Sequence, residues 1–479
     1  MKVQEKGQNI IVWFIRIVII CSMLSVWKVK IGGMELLPIL LFVVVLTWMM
    51  FHIIQVNRGQ RSWRQGYGRL DFVMGLLLLY ELVQLVVTLF ASAKDEVPDY
   101  SLNLLIISLV MLYLMMMEHG GIERSHLDLI LYCGLAVMTV FLLGYLCNPQ
   151  IGEILILWGN RAAASSYLLL VATVGVLQYC TSKIPMQSYF YAMCTFVSFF
   201  LLGCNHSIIS FWIMGITILL IPILLRPTAL LFKRAMQMLF AFLFLISNMS
   251  LVTNYTKLLL VETSYDLEHS VYLDLLLALG GVLFFHFWDR IPEKVRLDKI
   301  VLRKLYRVEK RLVKTCLMIL LLLLMGGSAW QSLNGSRMSI KALQGFAVPL
   351  WKEIEGNQSF LYHCVDKQGV LGAFLCIMVV LTAIECVSGS FGWDKKMQGM
   401  FDVVLSGILL QLLVWRGCIN ILPIAVIILT GAIQRKGQAI RRPRKNAQVR
   451  KEQKDKVKNA AFTEPNQKQR RNGGEYEKE

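Results

Sequence analysis

Four residues in this chain pair a chemically capable side chain with a setting at the edge of an apolar run: Arg161 in WGNR, His206 in CNHS, Arg337 in NGSR and His363 in FLYHCVDK. Arginine presents forked, permanently charged donors that match phosphate oxygens and can stabilise a diphosphate as it leaves. Histidine titrates near neutrality and can take the proton of an attacking hydroxyl. Together the four would suit displacement of a lipid-linked diphosphate by a sugar hydroxyl, with no metal or nucleotide involved. The plainer reading is that each sits at the lipid headgroups, where side chains with an apolar stem and a polar tip collect.

Two carboxylates stand apart from this set. Glu81 falls near the middle of one apolar run and Asp274 one to two turns inside another. A carboxylate in hydrocarbon is costly, so each must pair across helices or face water. The pairing predicted for Glu81 is with Arg16 or a backbone donor, and an ion or proton path is the alternative.

The elements that must position these groups are read from composition. Of 479 residues 56% are hydrophobic and only 17% charged, with 23 Met, 24 Phe and 11 Trp spread through long apolar stretches. A soluble protein carries about a quarter charged residues, so a soluble enzyme is excluded. Windows of about 19 residues pick out apolar segments near 10–27, 34–54, 70–91, 101–118, 126–147, 162–179, 186–203, 208–225, 229–247, 268–288, 314–330, 368–385, 399–416 and 418–434. The fold class expected is therefore an all-α polytopic integral membrane protein with about 14 transmembrane helices.

Charge sets the orientation. Arg58, Arg61, Arg64 and Arg69, then Arg226, Lys233 and Arg234, then the run from Arg290 to Lys314 fall in loops that share one side if the N-terminus is cytoplasmic. Loops on the other side are acidic or poor in base, Lys28 and Lys30 excepted, so both termini are assigned to the cytoplasm and the protein to the cytoplasmic membrane as a multi-pass chain. The 11 cysteines lie mostly inside apolar runs and lack the C-x-x-C spacing of a zinc or redox site, so neither a metal nor a cofactor is expected.

The domain division places a membrane domain at 1–434 and a basic, disordered cytoplasmic tail at 435–479. That tail holds 15 basic and 6 acidic residues, and its surplus of nine is half of the chain's net +18. Within 290–314, Val295, Ile300, Val301, Leu305, Val308 and Leu312 recur at roughly helical intervals among ten basic residues. This predicts an amphipathic helix on the inner leaflet, held by anionic lipid, and the tail nearly lacks the aromatic residues that nucleic-acid binding would interleave with its charges. The longest exterior loop is 331–367, and it carries Arg337 and His363.

Those stretches resemble the bacterial O-antigen ligases and O-antigen or capsule polymerases, membrane glycosyltransferases that use undecaprenyl-diphosphate carriers. WGNRAAASSYLLL resembles the family's Asn and small-residue opening of a span, and LLGCNHSIISFWIMG its turn before the next, with His206 near the place of an arginine. NGSRMSIKALQGF resembles the start of the catalytic outer loop, and NQSFLYHCVDKQGVLGAFLCIMVV its end, with Asp366, Gly369 and Gly372 in place and Asn357-Gln358 standing where His-Asn is expected. The resemblance implies a metal-independent glycosyltransferase in which Arg337 and Arg161 hold a lipid-linked glycan donor while a hydroxyl of a glycan or lipid acceptor attacks, His363 or His206 serving as base. A flippase of lipid-linked oligosaccharide is the first rival, although residues 1–240 and 241–434 show no convincing internal repeat. A noncatalytic envelope-assembly protein is the second.

Overall fold

The computed structural model describes residues 2–25, 30–31, 34–58, 68–91, 101–119, 122–147, 161–204, 208–225, 229–247, 360–388, 396–414 and 421–434. Almost all of them are helical, as apolar segments must be where the backbone can bond only to itself. In chain order the helices are α1 (Lys2–Leu24), α2 (Leu36–Asn57), α3 (Arg69–Ala91), α4 (Ser101–His119), α5 (Arg124–Cys147), α6 (Arg161–Thr181), α7 (Pro185–Cys204), α8 (Ile208–Leu224) and α9 (Ala229–Ser247). After the gap come α10 (Phe360–Ser388), α11 (Lys396–Val414) and α12 (Leu422–Gln434). A two-residue antiparallel pair, β1 (Lys30–Ile31) with β2 (Met34–Glu35), joins α1 to α2 in the register Lys30 to Glu35 and Ile31 to Met34.

Helices coincide with the twelve apolar segments of the sequence that fall among the described residues. Five contain stretches long and apolar enough to cross a bilayer: Leu36–Asn57, Arg69–Thr88, Ser101–Glu118, Ala163–Thr181 and Pro185–Gly203. Shorter apolar stretches run through α1, α8, α10, α11 and α12. By this measure the chain is a membrane protein. The expected spans near 268–288 and 314–330, the amphipathic segment 290–314, residues 331–359 of the outer loop and the tail 435–479 lie outside the described residues. Residue contacts group Met1–Ala432 as one compact unit and Ile433–Glu479 as another.

Helix α6 is the hub of the first unit. It packs against α5, α7, α8, α9 and α11 and is buried along almost its whole length. Small residues let its neighbours approach: a Cβ added to Gly134 on α5 would lie 2.5 Å from Val171 Cγ2, and one added to Gly175 on α6 would lie 2.5 Å from Thr195 Oγ1 on α7. Without a water-driven force between apolar helices, close backbone approach of this kind supplies the dispersion contacts that hold them together. Around the hub, α1 packs on α2 and α5, α2 on α4, α4 on α3, α3 on α10, and α10 on α11. Phe14 stacks flat on Trp48 at 5.5 Å between α1 and α2, the Tyr167 hydroxyl donates to the Met23 carbonyl at 3.0 Å, and the Glu35 amide donates to Ser101 Oγ at 3.3 Å. Outward-facing positions on α3 are apolar: Phe72, Leu79 and Phe90 are strongly exposed.

The two kinds of glycine make opposite predictions. Gly134→Ala drives a methyl into Val171 and should destabilise by about 1–3 kcal/mol, read as a lower unfolding temperature in detergent. Gly215→Ala on α8, where an added Cβ meets nothing within 4 Å, should be neutral or stabilise by up to about 1 kcal/mol.

Candidate functional site

Of the four residues singled out in the sequence, Arg161 begins α6, and His363 lies in the opening turns of α10. Their side chains, and all of His206 and Arg337, lie outside the described residues, as does Asp274. The described residues instead centre attention on Glu81.

Glu81 is the thirteenth residue of the 23-residue helix α3, about 18 Å from its first residue by the rise of an α-helix. Its side chain is fully buried. Oε2 accepts from Asn103 Nδ2 of α4 at 3.1 Å. On its other side the carboxylate faces the side-chain amide of Gln368 on α10. At strict hydrogen-bond geometry Glu81 Oε1 and the Gln368 amide atoms are left without a partner, although the two side chains lie within hydrogen-bonding reach of each other. The pairing expected from sequence was with Arg16 or a backbone donor. The Arg16 guanidinium lies over the Trp13 ring on its own helix, 5.4 Å from the centroid, and α3 meets its partners on the side facing α4 and α10.

Gln368 is held where α10 breaks. Gly369 has φ 71° and ψ −178°, a conformation that costs an L side chain dearly and that ends one helical run before the next begins. A break of this kind takes carbonyls out of the helical ladder, and a carbonyl in apolar surroundings needs another donor. Tyr80 of α3 supplies it: its hydroxyl donates to the Gln368 carbonyl at 2.5 Å and accepts from Gln84 Nε2 at 2.9 Å. Gly372 makes the approach possible, since a Cβ there would lie 2.8 Å from Tyr80 Cε1 and 2.7 Å from the Gln368 Cβ. Tyr80, Glu81 and Gln84 thus face Asn103 and Gln368 across three helices.

A second polar cluster offers a comparison. Arg124 Nε of α5 donates to Gln178 Oε1 of α6 at 2.9 Å, and Gln178 Nε2 donates to Asp128 Oδ1 at 2.8 Å. Tyr191 of α7 also donates to Asp128 Oδ1 at 2.9 Å. From α9, Arg234 donates to the Tyr179 and Ser182 carbonyls at 2.9 and 2.6 Å and lies over the Tyr179 ring. Here the buried Gln178 amide and the half-buried Arg124, Asp128 and Arg234 side chains all find partners, as in a network that ties helix ends together. The Glu81 cluster leaves acceptor and donor atoms open.

An apolar cavity of about 150 Å³ adjoins the same three helices. Met74 and Leu77 line it from α3, Ile106 and Val110 from α4, and Cys376 and Val380 from α10, with α11 and α12 closing the far wall. Among the described residues no group of three or more His, Cys, Asp or Glu could hold a metal ion. Comparison of the chain with protein-family models, curated proteins and solved structures finds no match in any of the three.

Sequence reasoning placed Glu81 in a span but missed Asn103 and Gln368. The available signal was the spacing of Tyr80, Glu81 and Gln84, three polar groups within little more than one turn of a helix whose other charged residues, Arg69 and Asp71, lie in its first turn. Tyr80→Phe tests the helix break directly. It leaves the Gln368 carbonyl without its donor and should lower stability by about 1–3 kcal/mol, measured by thermal unfolding in detergent, with Gln84→Leu costing less because it removes only the outer bond.

Proposed function

We propose that this protein transfers or polymerises glycan from an undecaprenyl-diphosphate-linked donor at the outer face of the cytoplasmic membrane, in the assembly of a cell-surface polysaccharide. In this reading the chain crosses the bilayer about 14 times with both termini cytoplasmic, Arg337 and Arg161 hold the diphosphate as it leaves, and His363 or His206 accepts the proton of the attacking hydroxyl. The bond from the anomeric carbon to the diphosphate breaks as the bond to the acceptor oxygen forms, and the lipid diphosphate departs. Anionic lipid holds the inner basic segments.

The observation that supports this reading is the course of α10. The helix begins within the expected outer loop, carries His363 in its opening turns, breaks at Gly369 and continues along the apolar cavity. A segment with a candidate base therefore leads directly into a space suited to hydrocarbon, as a substrate with a polar glycan and a lipid tail requires.

A flippase is the second reading. A helix broken beside a buried carboxylate is also how transporters build sites within the bilayer. The side on which substrate accumulates separates the two. Cells carrying Arg337→Ala, with the protein present at normal level in the membrane, should lose most of the surface glycan and accumulate lipid-linked repeat units on the outer leaflet. Accumulation on the inner leaflet favours the flippase, and a wild-type glycan profile removes Arg337 from the mechanism.

A further inference from the structure

We infer that Glu81 is a proton-binding site: it carries a proton and closes a paired acid-amide bond with Gln368, so that the proton joins α3 to α10 at the helix break. At strict geometry three atoms are open, Glu81 Oε1 and the Gln368 Nε2 and Oε1 atoms, although the two side chains lie within hydrogen-bonding reach. Glu81 Oε2 already accepts from Asn103 Nδ2 at 3.1 Å. An ionised carboxylate has only acceptors, so it takes the amide hydrogen and leaves the Gln368 oxygen buried without a donor. A neutral acid has one O–H to give. Its Oε1–H donates to Gln368 Oε1 while Gln368 Nε2 donates to Oε2, which has a second lone pair beside the one that Asn103 uses. One proton thus meets all three atoms, and it needs no room beyond the reach that the two side chains already share.

The surroundings favour the neutral form. Glu81 and Gln368 are both buried, and a charge in such a place persists only where an opposite charge compensates it. Among the described residues none does. On α3 itself, Arg69 and Asp71 lie ten or more residues before Glu81, and Asp71 is held by the Tyr113 hydroxyl and the Gly68 amide. On α4, Tyr113, Glu118 and His119 lie ten or more residues past Asn103. Glu35, whose amide donates to Ser101 Oγ at the start of α4, brings a carboxyl and no cation. On α10, His363, Asp366 and Lys367 precede Gln368, and their side chains lie outside the described residues.

Position gives the proton its consequence. Gln368 is the residue before the positive φ of Gly369, and its carbonyl accepts from Tyr80, the neighbour of Glu81. The proton therefore completes a grip on both the side chain and the carbonyl of one residue by two successive residues of α3. When water takes the proton and leaves as hydronium, the carboxylate charge faces the amide oxygen, and the amide must turn to present its nitrogen. The Gln368 oxygen is then unmet, and α10 is loosened at its break. The proton site assumes neither the transferase nor the flippase, and its test reads no glycan, so each stands or falls separately.

The full-length protein, with glutamate labelled by heavy carbon at its side-chain carboxyl, is reconstituted in phosphatidylcholine nanodiscs and read by infrared difference spectroscopy at neutral pH. The C=O stretch of a carboxylic acid lies above the bands of amides and carboxylates. Wild-type protein should show such a band with the isotope shift of a glutamate, and Glu81→Gln, which keeps the shape and the pairing with Gln368, should lose it. If Glu81→Gln fails to insert, Glu81→Asp keeps an acid that carries no label, so the isotope shift should vanish while an acid band remains. Gln368→Leu should keep the acid and move its band to higher frequency, because the paired amide is gone. At a pH high enough to remove the wild-type band, amide hydrogen exchange around Gly369 should be several-fold faster in wild type than in Glu81→Gln. A labelled acid band that is absent from wild type, or that is unchanged in the Glu81 variants, overturns the proton site. A band that Gln368→Leu does not move overturns the pairing, and equal exchange overturns the link to the break.

Discussion

A backbone carbonyl in apolar surroundings has no water to bond, and this constraint fixes how α3 meets α10. Once α10 turns out of helical geometry at Gly369, the Gln368 carbonyl needs a donor from elsewhere, and Tyr80 provides it. Everything else at the site follows from that one hydrogen bond. It sets the height of α10 against α3, brings the Gln368 amide opposite Glu81, and requires Gly372 to be without a side chain so that the tyrosine ring can lie close. The apolar cavity beyond is aligned by the same register.

The contrast between the two polar clusters gives the site its meaning. Arg124, Asp128, Gln178 and Tyr191 tie α5, α6 and α7 together through bonds that close on one another, and Arg234 adds α9 through backbone carbonyls. Such a network rigidifies the bundle around α6 and asks for no ligand. Glu81 is more deeply buried than Asp128; one oxygen is met by Asn103, and the carboxylate approaches the Gln368 amide without closing a bond of strict geometry.

Much of the helical layout is legible from apolar run length alone, because a segment of about 20 apolar residues has few alternatives in lipid. The apolar segments near 34–54, 101–118 and 186–203 differ from α2, α4 and α7 by no more than three residues at either end. The start of α10 was less legible. Its apolar run begins near 368, yet the helix begins at Phe360, since the preceding turns are polar enough to hide from a hydropathy window. The partners of Glu81 were beyond reach for a different reason. Tyr80 and Gln368 are 288 residues apart, and helical periodicity says which face is buried without saying which helix covers it. The pair Gly369 and Gly372 was visible as a motif, but its two roles, a positive φ and a close approach, exist only once α3 is in place.

The most direct measurement is a side-chain-resolution cryo-EM map of the full chain in lipid nanodiscs. It should contain a break in α10 at Gly369, the Tyr80 hydroxyl against the Gln368 carbonyl, and Glu81 between Asn103 and Gln368. A helix running unbroken through Gly369, with Glu81 bonded to a basic side chain and the space beside Leu77 and Ile106 closed by protein atoms, would contradict it.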